Sequence, residues 1–398
     1  MKNDELNELR KHINSLDDEL AVLLSKRLKI VVKIAKYKYE NKLDVVNNSR
    51  EEEIIERINL SLAKNDNNEF AREVELLMKY IMNQSKAKQS AYIQNLINFE
   101  YKREGDKKTT HGCLVDKSIT VAFQGIKGSY SHEALDEVFG KNVKSQNYKS
   151  FRDVFVSVNT KKSSYGILPI ENSSTGNINE VYDLLEEFPV NIVGEKIIRI
   201  NHCIIGLSNS SIDNIEELYS HPQAFLQTSE YLNELLGVKK VPYFNTAISV
   251  KKVKDINDGK IAAIGSRKSA RIYDLKILKK NINNAKNNYT KFIIISHNKL
   301  MANSIEGNGR KVSLLFTVDH KSGSLYKVLE SFAINEFNLL KLESRPIVDK
   351  PWEYMFYVDI EGSLKDFKLK STIDNIIPKC IDFRVLGEYN YDNNEKDL

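Results

Sequence analysis

From Leu6 to Leu23 the apolar residues recur in alternating steps of three and four: Leu6, Leu9, Ile13, Leu16, Leu20, Leu23. That spacing predicts a long amphipathic helix with a coiled-coil-like seam. Two further stripes, Ile54/Ile58/Leu62 and Val74/Leu77/Ile81, predict a second and a third helix. Glycine and proline, the usual breakers, are absent before Gly105. Residues 1–95 therefore read as an all-helical bundle and the polar stretch 96–117 as a linker. From Ser118 the pattern changes to short β-branched runs, each followed by a Gly/Ser turn and a helical stripe, as in ITVAFQ-GIKGSYS-HEALDEVFG. Such alternation predicts an α/β domain over 118–299. After the polar stretch NKLMANSIEGNGRK, residues 311–391 read βαββαβ, the order of a ferredoxin-like α+β domain.

Composition changes this picture little. The 398 residues are 41% hydrophobic and 28% charged, enough apolar material for several cores. Lys+Arg 59 against Asp+Glu 54 leaves +5, too little and too evenly spread for a nucleic-acid binder. No apolar run reaches the roughly 18 residues of a membrane span, and MKNDELNELR lacks the features of a secretory signal. Cys113, Cys203 and Cys380 fit no metal or redox spacing. A cytoplasmic protein with neither metal nor cofactor is expected.

Candidate chemistry lies where the pattern is broken. The seam of the first helix should continue in an apolar residue, but the position is Arg27, and Lys38 returns to the same face. The third stripe continues in Ser85 and Gln89. Long cations can snorkel out of a seam, and polar residues can set register. Several donors on inward faces instead predict a guest, because cations buried without anionic partners are costly. The guest expected is a small dianion. Arg10 points about 100° away from Arg27 on the same helix, so it would serve a neighbour's pocket in a dimer. Ser49 and Glu52 have the spacing of a capping box for the second helix.

In the middle part, three strands end in hydroxyl-rich turns that open helices: GSYS (Gly128–Ser131), ENSSTG (Glu171–Gly176) and GSRKS (Gly265–Ser269). Hydroxyls there can cap the helix or bind an anion. Three in one domain predict that some line a cleft for a carboxylate ligand. GIKGSYS lacks both G-x-G-x-x-G and GK[ST], which disfavours a dinucleotide or nucleotide site. The isolated His202 and His221 read as structural.

These strings together resemble known families. LRKHINSLDDELAVLLSKRLKIVVKIAKYK, SREEE and IMNQSKAKQ look like the all-helical chorismate mutase domain. The resemblance implies an intertwined dimer. Its site would contain Arg27, Lys38, Arg50, Glu51, Ser85 and Gln89, with Arg10 from the partner. The position before the second helix that is often Asp in that family is Asn47 here, which implies a changed contact. VAFQGIKGSYSHEAL, YGILPIENSSTGNINEVYDLL, SHPQAFLQTSEYL and NYTKFIIIS resemble prephenate dehydratase, whose fold is two α/β lobes like a type II periplasmic binding protein. The resemblance implies a site with Ser129, Tyr130, Ser131, Glu171, Asn172 and Ser173. Its T-R-F motif appears as Thr290-Lys291-Phe292, and the threonine is the essential residue. LESRPI and PWEYMFYVDIEG resemble the ACT domain of the same enzymes. There Gly323, Ser324 and Leu325 with Glu343, Ser344, Arg345 and Pro346 would hold phenylalanine as effector; the family's G-A-L-V is GSLY here.

The expected protein thus converts chorismate to prephenate and prephenate to phenylpyruvate under phenylalanine feedback, as a homodimer or dimer of dimers. Lys38, Gln89 and Thr290 are its expected catalytic residues, and Glu171 would be a protonated acid if buried. The rivals are arogenate as substrate of the middle part, or a non-catalytic sensor whose helical part is a dimerisation arm.

Overall fold

The computed structural model describes residues 2–41, 43, 47–64, 68–101, 119–285, 287–299, 309–347 and 350–391. Cys113, residues 102–117 of the expected linker and 300–308 lie outside the described residues. The chain divides into two units. One holds Met1–Thr110 with Leu325–Phe337 and Leu364–Lys379; the other holds His111–Ser324, Asn338–Ser363 and Cys380–Leu398. The strands and the helices of the C-terminal βαββαβ segment therefore fall in different units.

The helical unit begins with α1 (Lys2–Glu40), α2 (Asn48–Lys64) and α3 (Ala71–Tyr101). Helix α3 is longer than expected: 96–101 belong to it and not to a linker, because INFEY carries no Gly or Pro to stop it. The second helix is also capped differently. Asn47 Oδ1 accepts from the Arg50 amide at 3.0 Å, so Ser49 lies inside the helix and forms no capping box.

In the second unit, the first lobe runs β1 (Thr120–Gln124), α4 (Tyr130–Phe139), β2 (Lys144–Tyr148), α5 (Phe151–Asn159), β3 (Tyr165–Asn172), β4 (Gly176–Asn177), α6 (Asn179–Glu187) and β5 (Asn191–Arg199). The chain crosses at Ile200–His202 into the second lobe. There follow β6 (Cys203–Gly206), β7 (Glu217–Ser220), α7 (Pro222–Gln227), α8 (Ser229–Asn233), β8 (Lys239–Pro242), α9 (Thr246–Ile256), β9 (Ile261–Gly265), α10 (Arg267–Ile272) and β10 (Lys276–Lys279). It returns through β11 (Tyr289–Ser296), which closes the first sheet. The sheet orders are β2-β1-β3-β11-β5, with β4 paired to β3, and β10-β6-β9-β7-β8. Strand β11 runs antiparallel to both β3 and β5.

The C-terminal elements are β12 (Gly309–Thr317), α11 (Ser324–Ile334), β13 (Leu339–Pro346), β14 (Tyr354–Glu361), α12 (Phe367–Ile376) and β15 (Asp382–Tyr391). Their antiparallel sheet has the order β13-β14-β12-β15. The core of the first lobe (Phe123, Ile167, Leu168, Val193, Ile294) continues without a break into Leu315, Tyr357, Leu386 and Tyr389 of that sheet. Each such buried side chain contributes about 1.5–3 kcal/mol. Gly387 makes the approach possible, since a Cβ there would stand 1.9 Å from the Ile192 carbonyl oxygen.

Candidate active sites

In the helical unit, Ser85 and Gln89 are buried on α3 although both are polar. The Arg27 guanidinium donates to Ser85 Oγ, and Ser85 Oγ in turn donates to the Ile81 carbonyl at 2.7 Å. Burial pulls Arg27 below its ordinary pKa, but a guanidinium stays charged. The carbonyl oxygen of Gln89 finds no partner among the described residues. A buried amide in that state costs free energy until something bonds it. Glu51 is half-buried and held 2.9 Å from Lys86, a residue for which the helical pattern carried no signal. Lys38 is half-buried near the end of α1.

Three expected residues stand apart. Arg10 is exposed on α1; Arg50 is exposed and paired with Glu53 at 2.7 Å; Asn47 is spent capping α2. An open groove of ≈ 980 Å³ along α2 and α3 includes Glu51, Glu52 and Glu56 with Lys79. It shares only Glu51 with the expected site, and its acidic lining disfavours a dianion.

The second unit holds a cleft of ≈ 260 Å³ between its lobes. Ser129, Tyr130, Ser131, Asn172, Thr290 and Phe292 line it, as expected, with Gln124 and Thr175. The second lobe adds His221, Gln223, Gln227, Asn245 and Thr246, and the crossing segment adds His202. Both histidines thus line the cleft, and His221 also caps α7, its Nδ1 accepting from the Gln223 amide at 3.2 Å. No sequence signal marked His202, because its partners come from distant segments. Among the described lining residues there is no Lys, Arg, Asp or Glu.

Asn172 organises the centre. Its Nδ2 donates to Thr290 Oγ1 at 2.9 Å and to Asn288 Oδ1 at 2.8 Å, and its Oδ1 accepts from the amides of Ser174 and Thr175. Since Thr290 Oγ1 accepts from Asn172, its own proton is turned elsewhere. Ser173 stands outside the cleft; its hydroxyl donates to the Asn287 carbonyl and accepts from the Tyr289 amide at 2.9 Å, fixing the start of β11. At the crossing, His202 sits between Gln227 Oε1 (Nε2, 2.9 Å) and the Tyr130 hydroxyl (Nδ1, 3.3 Å). Burial lowers its pKa and the bond to Gln227 offsets this only in part, so the ring is neutral. Two helix N-termini open on the cleft: α4, capped by Ser129, and α9, capped by Asn245. The third hydroxyl turn does different work. Ser266 caps α10 and donates to the Gly128 carbonyl across the lobes.

Glu171 and Lys291 are turned away from the cleft. Consecutive strand residues point to opposite faces, so the neighbours of Asn172 and Thr290 must face the back of the sheet. Glu171 pairs there with Lys341 at 2.7 Å, and Lys291 Nζ lies 4.0 Å from Glu195. That placement gives neither an acid at Glu171 nor a carboxylate-binding Lys291 to the cleft. On β13, Arg345 makes a two-pronged pair with Asp183, 3.0 Å in each arm, and Glu343 accepts from Asn177. Ser344 and Pro346 are exposed, and Gly323 (φ +78°) turns the chain into α11, which starts with Ser324 and Leu325.

An inward arginine and a buried glutamine on helices in one unit, and a cleft lined by hydroxyls and amides between two α/β lobes in the other, are the two candidate sites. Residues 9–90 match the family model described as chorismate mutase type II, and residues 121–300 match that of prephenate dehydratase. The bifunctional chorismate mutase/prephenate dehydratase of Buchnera aphidicola subsp. Schizaphis graminum is 34% identical over 402 residues, covering 98% of both chains. The solved prephenate dehydratase of Staphylococcus aureus covers 68% of this chain and 100% of its own, at 27% identity and a TM-score of 0.59. That of Arthrobacter aurescens, solved in complex with L-Phe, covers 68% of this chain and 90% of its own, at 22% identity and a TM-score of 0.62. The chain belongs to the bifunctional chorismate mutase/prephenate dehydratase family. Among the described residues no helix is long and apolar enough to cross a membrane, and no cluster of metal-ligating side chains occurs.

Proposed function

We propose that the helical unit rearranges chorismate to prephenate and that the inter-lobe cleft converts prephenate to phenylpyruvate. The observation that carries the second step is the Asn172–Thr290 hydrogen bond at the centre of a cleft whose described lining has no Lys, Arg, Asp or Glu.

The first reaction is a Claisen rearrangement and needs no acid, base or nucleophile. The site must hold a flexible dianion in its compact conformer and stabilise negative charge on the breaking ether oxygen. Arg27, aimed at Ser85, is placed to clamp a carboxylate, and Lys38 and Gln89 are the donors for the ether oxygen. Arg10 and the seam residues Leu6, Leu9, Ile13, Leu16, Leu20 and Leu23, all exposed in one chain, fit an intertwined homodimer in which a partner covers α1.

In the second reaction the ring carboxylate leaves as CO2, its bond electrons enter the ring, and hydroxide departs. With one proton taken up, the products are phenylpyruvate, CO2 and water. Thr290, its oxygen held by Asn172, donates its hydrogen bond to the departing hydroxyl. The helix N-termini of α4 and α9 receive the two carboxylates, one from each lobe. Arogenate would bring an ammonium into a cleft whose described lining offers no carboxylate, so prephenate is the better fit.

The C-terminal segment is read as an ACT regulator binding phenylalanine near Gly323 and the Glu343–Pro346 strand. Support comes from the Arthrobacter aurescens enzyme, alike in fold and solved with L-Phe. Cytoplasmic action on diffusible metabolites follows from the same reading. One assay tests the whole: the full chain is given chorismate, and phenylpyruvate is measured with and without phenylalanine. Accumulation of prephenate would remove the dehydratase assignment, no turnover would remove both, and indifference to phenylalanine would remove the regulator.

A further inference from the structure

Behind the Asn172–Thr290 pair, the back of the first-lobe sheet carries charge on three adjacent strands: Glu171 on β3, Lys291 on β11 and Glu195 on β5. The C-terminal sheet brings three more: Lys341 on β13, Lys311 on β12 and Asp359 on β14. Four ion pairs and one cross-strand neighbour pair, Glu171 and Lys291, set them in a series of alternating sign. Lys341 lies 2.7 Å from Glu171, which is the cross-strand partner of Lys291. Lys291 lies 4.0 Å from Glu195; Glu195 lies 2.5 Å from Lys311, and Lys311 lies 2.9 Å from Asp359. Lys311, Glu195 and Asp359 are almost wholly buried. Burial would drive Lys311 neutral, but the Asp359 and Glu195 carboxylates outweigh it and hold the ammonium protonated. Tyr389 and Tyr391 face that ammonium with their rings, 5.5 and 5.2 Å away.

We propose that this six-charge ladder couples the C-terminal sheet to the dehydratase cleft, with Glu171, Lys291 and Glu195 acting as positioning residues for Thr290. Glu171 precedes Asn172 and Lys291 follows Thr290, so each strand presents a charge to the C-terminal sheet and a hydrogen-bonding group to the cleft. A shift in the back charges moves the front pair. Buried alternating charges resist intermediate arrangements, since a partner withdrawn leaves its counter-charge uncompensated. The same strand that presents Lys341 presents Glu343 to Asn177 and Arg345 to Asp183, so β13 bears on the first lobe at three alternate positions. In linkage terms, an effector that binds one disposition of β13 better than another changes the population of the competent Asn172–Thr290 geometry. The effector arm of this proposal rests on the phenylalanine reading above; the positioning arm does not.

The test uses the full chain with Lys341→Met, Lys341→Arg and Lys291→Met. Mutase turnover in each preparation serves as the control for folding. For Lys341→Met the phenylalanine concentration giving half-inhibition of the dehydratase should rise about tenfold, while calorimetric phenylalanine affinity changes less than about threefold. Lys341→Arg should restore inhibition. Inhibition of Lys341→Met at wild-type concentrations would overturn the coupling, as would loss of phenylalanine binding itself, which would place Lys341 in the effector site. Should the wild type neither bind nor respond to phenylalanine, the regulator reading alone falls, and Lys291→Met decides. Its dehydratase kcat should drop about tenfold with KM within about twofold, the signature of a displaced catalytic group. An unchanged kcat, or a rise confined to KM, would overturn the ladder.

Discussion

On the proposed assignment, the two sites solve the same recognition problem, a small dianion, by opposite means. The helical site uses fixed cations on faces that a coiled-coil seam would make apolar, and in one chain its α1 seam is bare, with Leu9 and Ile13 each 57% exposed. The cleft uses hydroxyls, amides and helix ends, and both lobes that build it come from one chain. Full charges suit the rearrangement because it needs clamping of a conformer and a strong field at one oxygen. Neutral donors suit the dehydratase because its charge moves during the reaction: a carboxylate disappears as CO2 while hydroxide leaves. A fixed cation beside the departing carboxylate would stabilise the ground state it is meant to lose.

Sharpening that contrast begins with Lys38→Ala, which should lower mutase turnover about 10³-fold, because a full charge at the ether oxygen is lost. Helical circular dichroism and dehydratase turnover should stay as they are; normal mutase turnover would sink the cationic half of the comparison. Next, Thr290→Ala should cost the dehydratase about 10²-fold in kcat, the usual loss for one aligned donor, with the mutase untouched. Rates within twofold of wild type would remove Thr290 from the chemistry.

The bare seam makes a third contrast. Leu16→Asp should weaken self-association and reduce mutase turnover about tenfold at low protein concentration, recovering as concentration rises. Dehydratase turnover should follow neither change. Sedimentation in parallel with both assays decides it, and a mutase rate independent of concentration in a monomeric variant would refute the shared site.

The smallest effect concerns the neutral cleft itself. Burial keeps the folded-state pKa of His202 below its unfolded value of about 6.5. As pH falls through that value, the unfolded chain takes up a proton that the folded protein refuses, so stability present above it declines. His132 and His221 are lowered by burial as well and add to the same slope. Thermal melts between pH 7.5 and 5.5 should fall less steeply for His202→Asn than for wild type, and equal slopes would show that His202 takes up its proton as readily in the fold as in the unfolded chain.

Much of this was legible along the chain. Arg27, Ser85 and Gln89 stood out because a helical stripe predicts an apolar residue where each occurs, and two of the three are buried. Asn172 and Thr290 could be named from LPIENSSTG and NYTKF, and they meet in space although 118 residues separate them. Other features escaped. Lys86 lay off every stripe, yet it holds Glu51. His202 lacked a local partner because Gln227 and Tyr130 arrive from other elements. Asn47 drew notice for a departure from a family pattern, while its observed work is to cap α2.

Periodicity by itself determined most of which segments are helices and strands and which turns carry hydroxyls, since those are local consequences of side-chain spacing and backbone preference. The tertiary structure alone decided what each face meets. Strands β3 and β11 are covered on both faces, so nothing in their spacing distinguishes the cleft side from the side toward the C-terminal sheet. Only the assembled sheets sent Asn172 and Thr290 to the substrate side, and Glu171 and Lys291 to a ladder of opposite charges. Adjacent residues on a strand share a sequence neighbourhood but no surroundings, and their chemistry follows the surroundings.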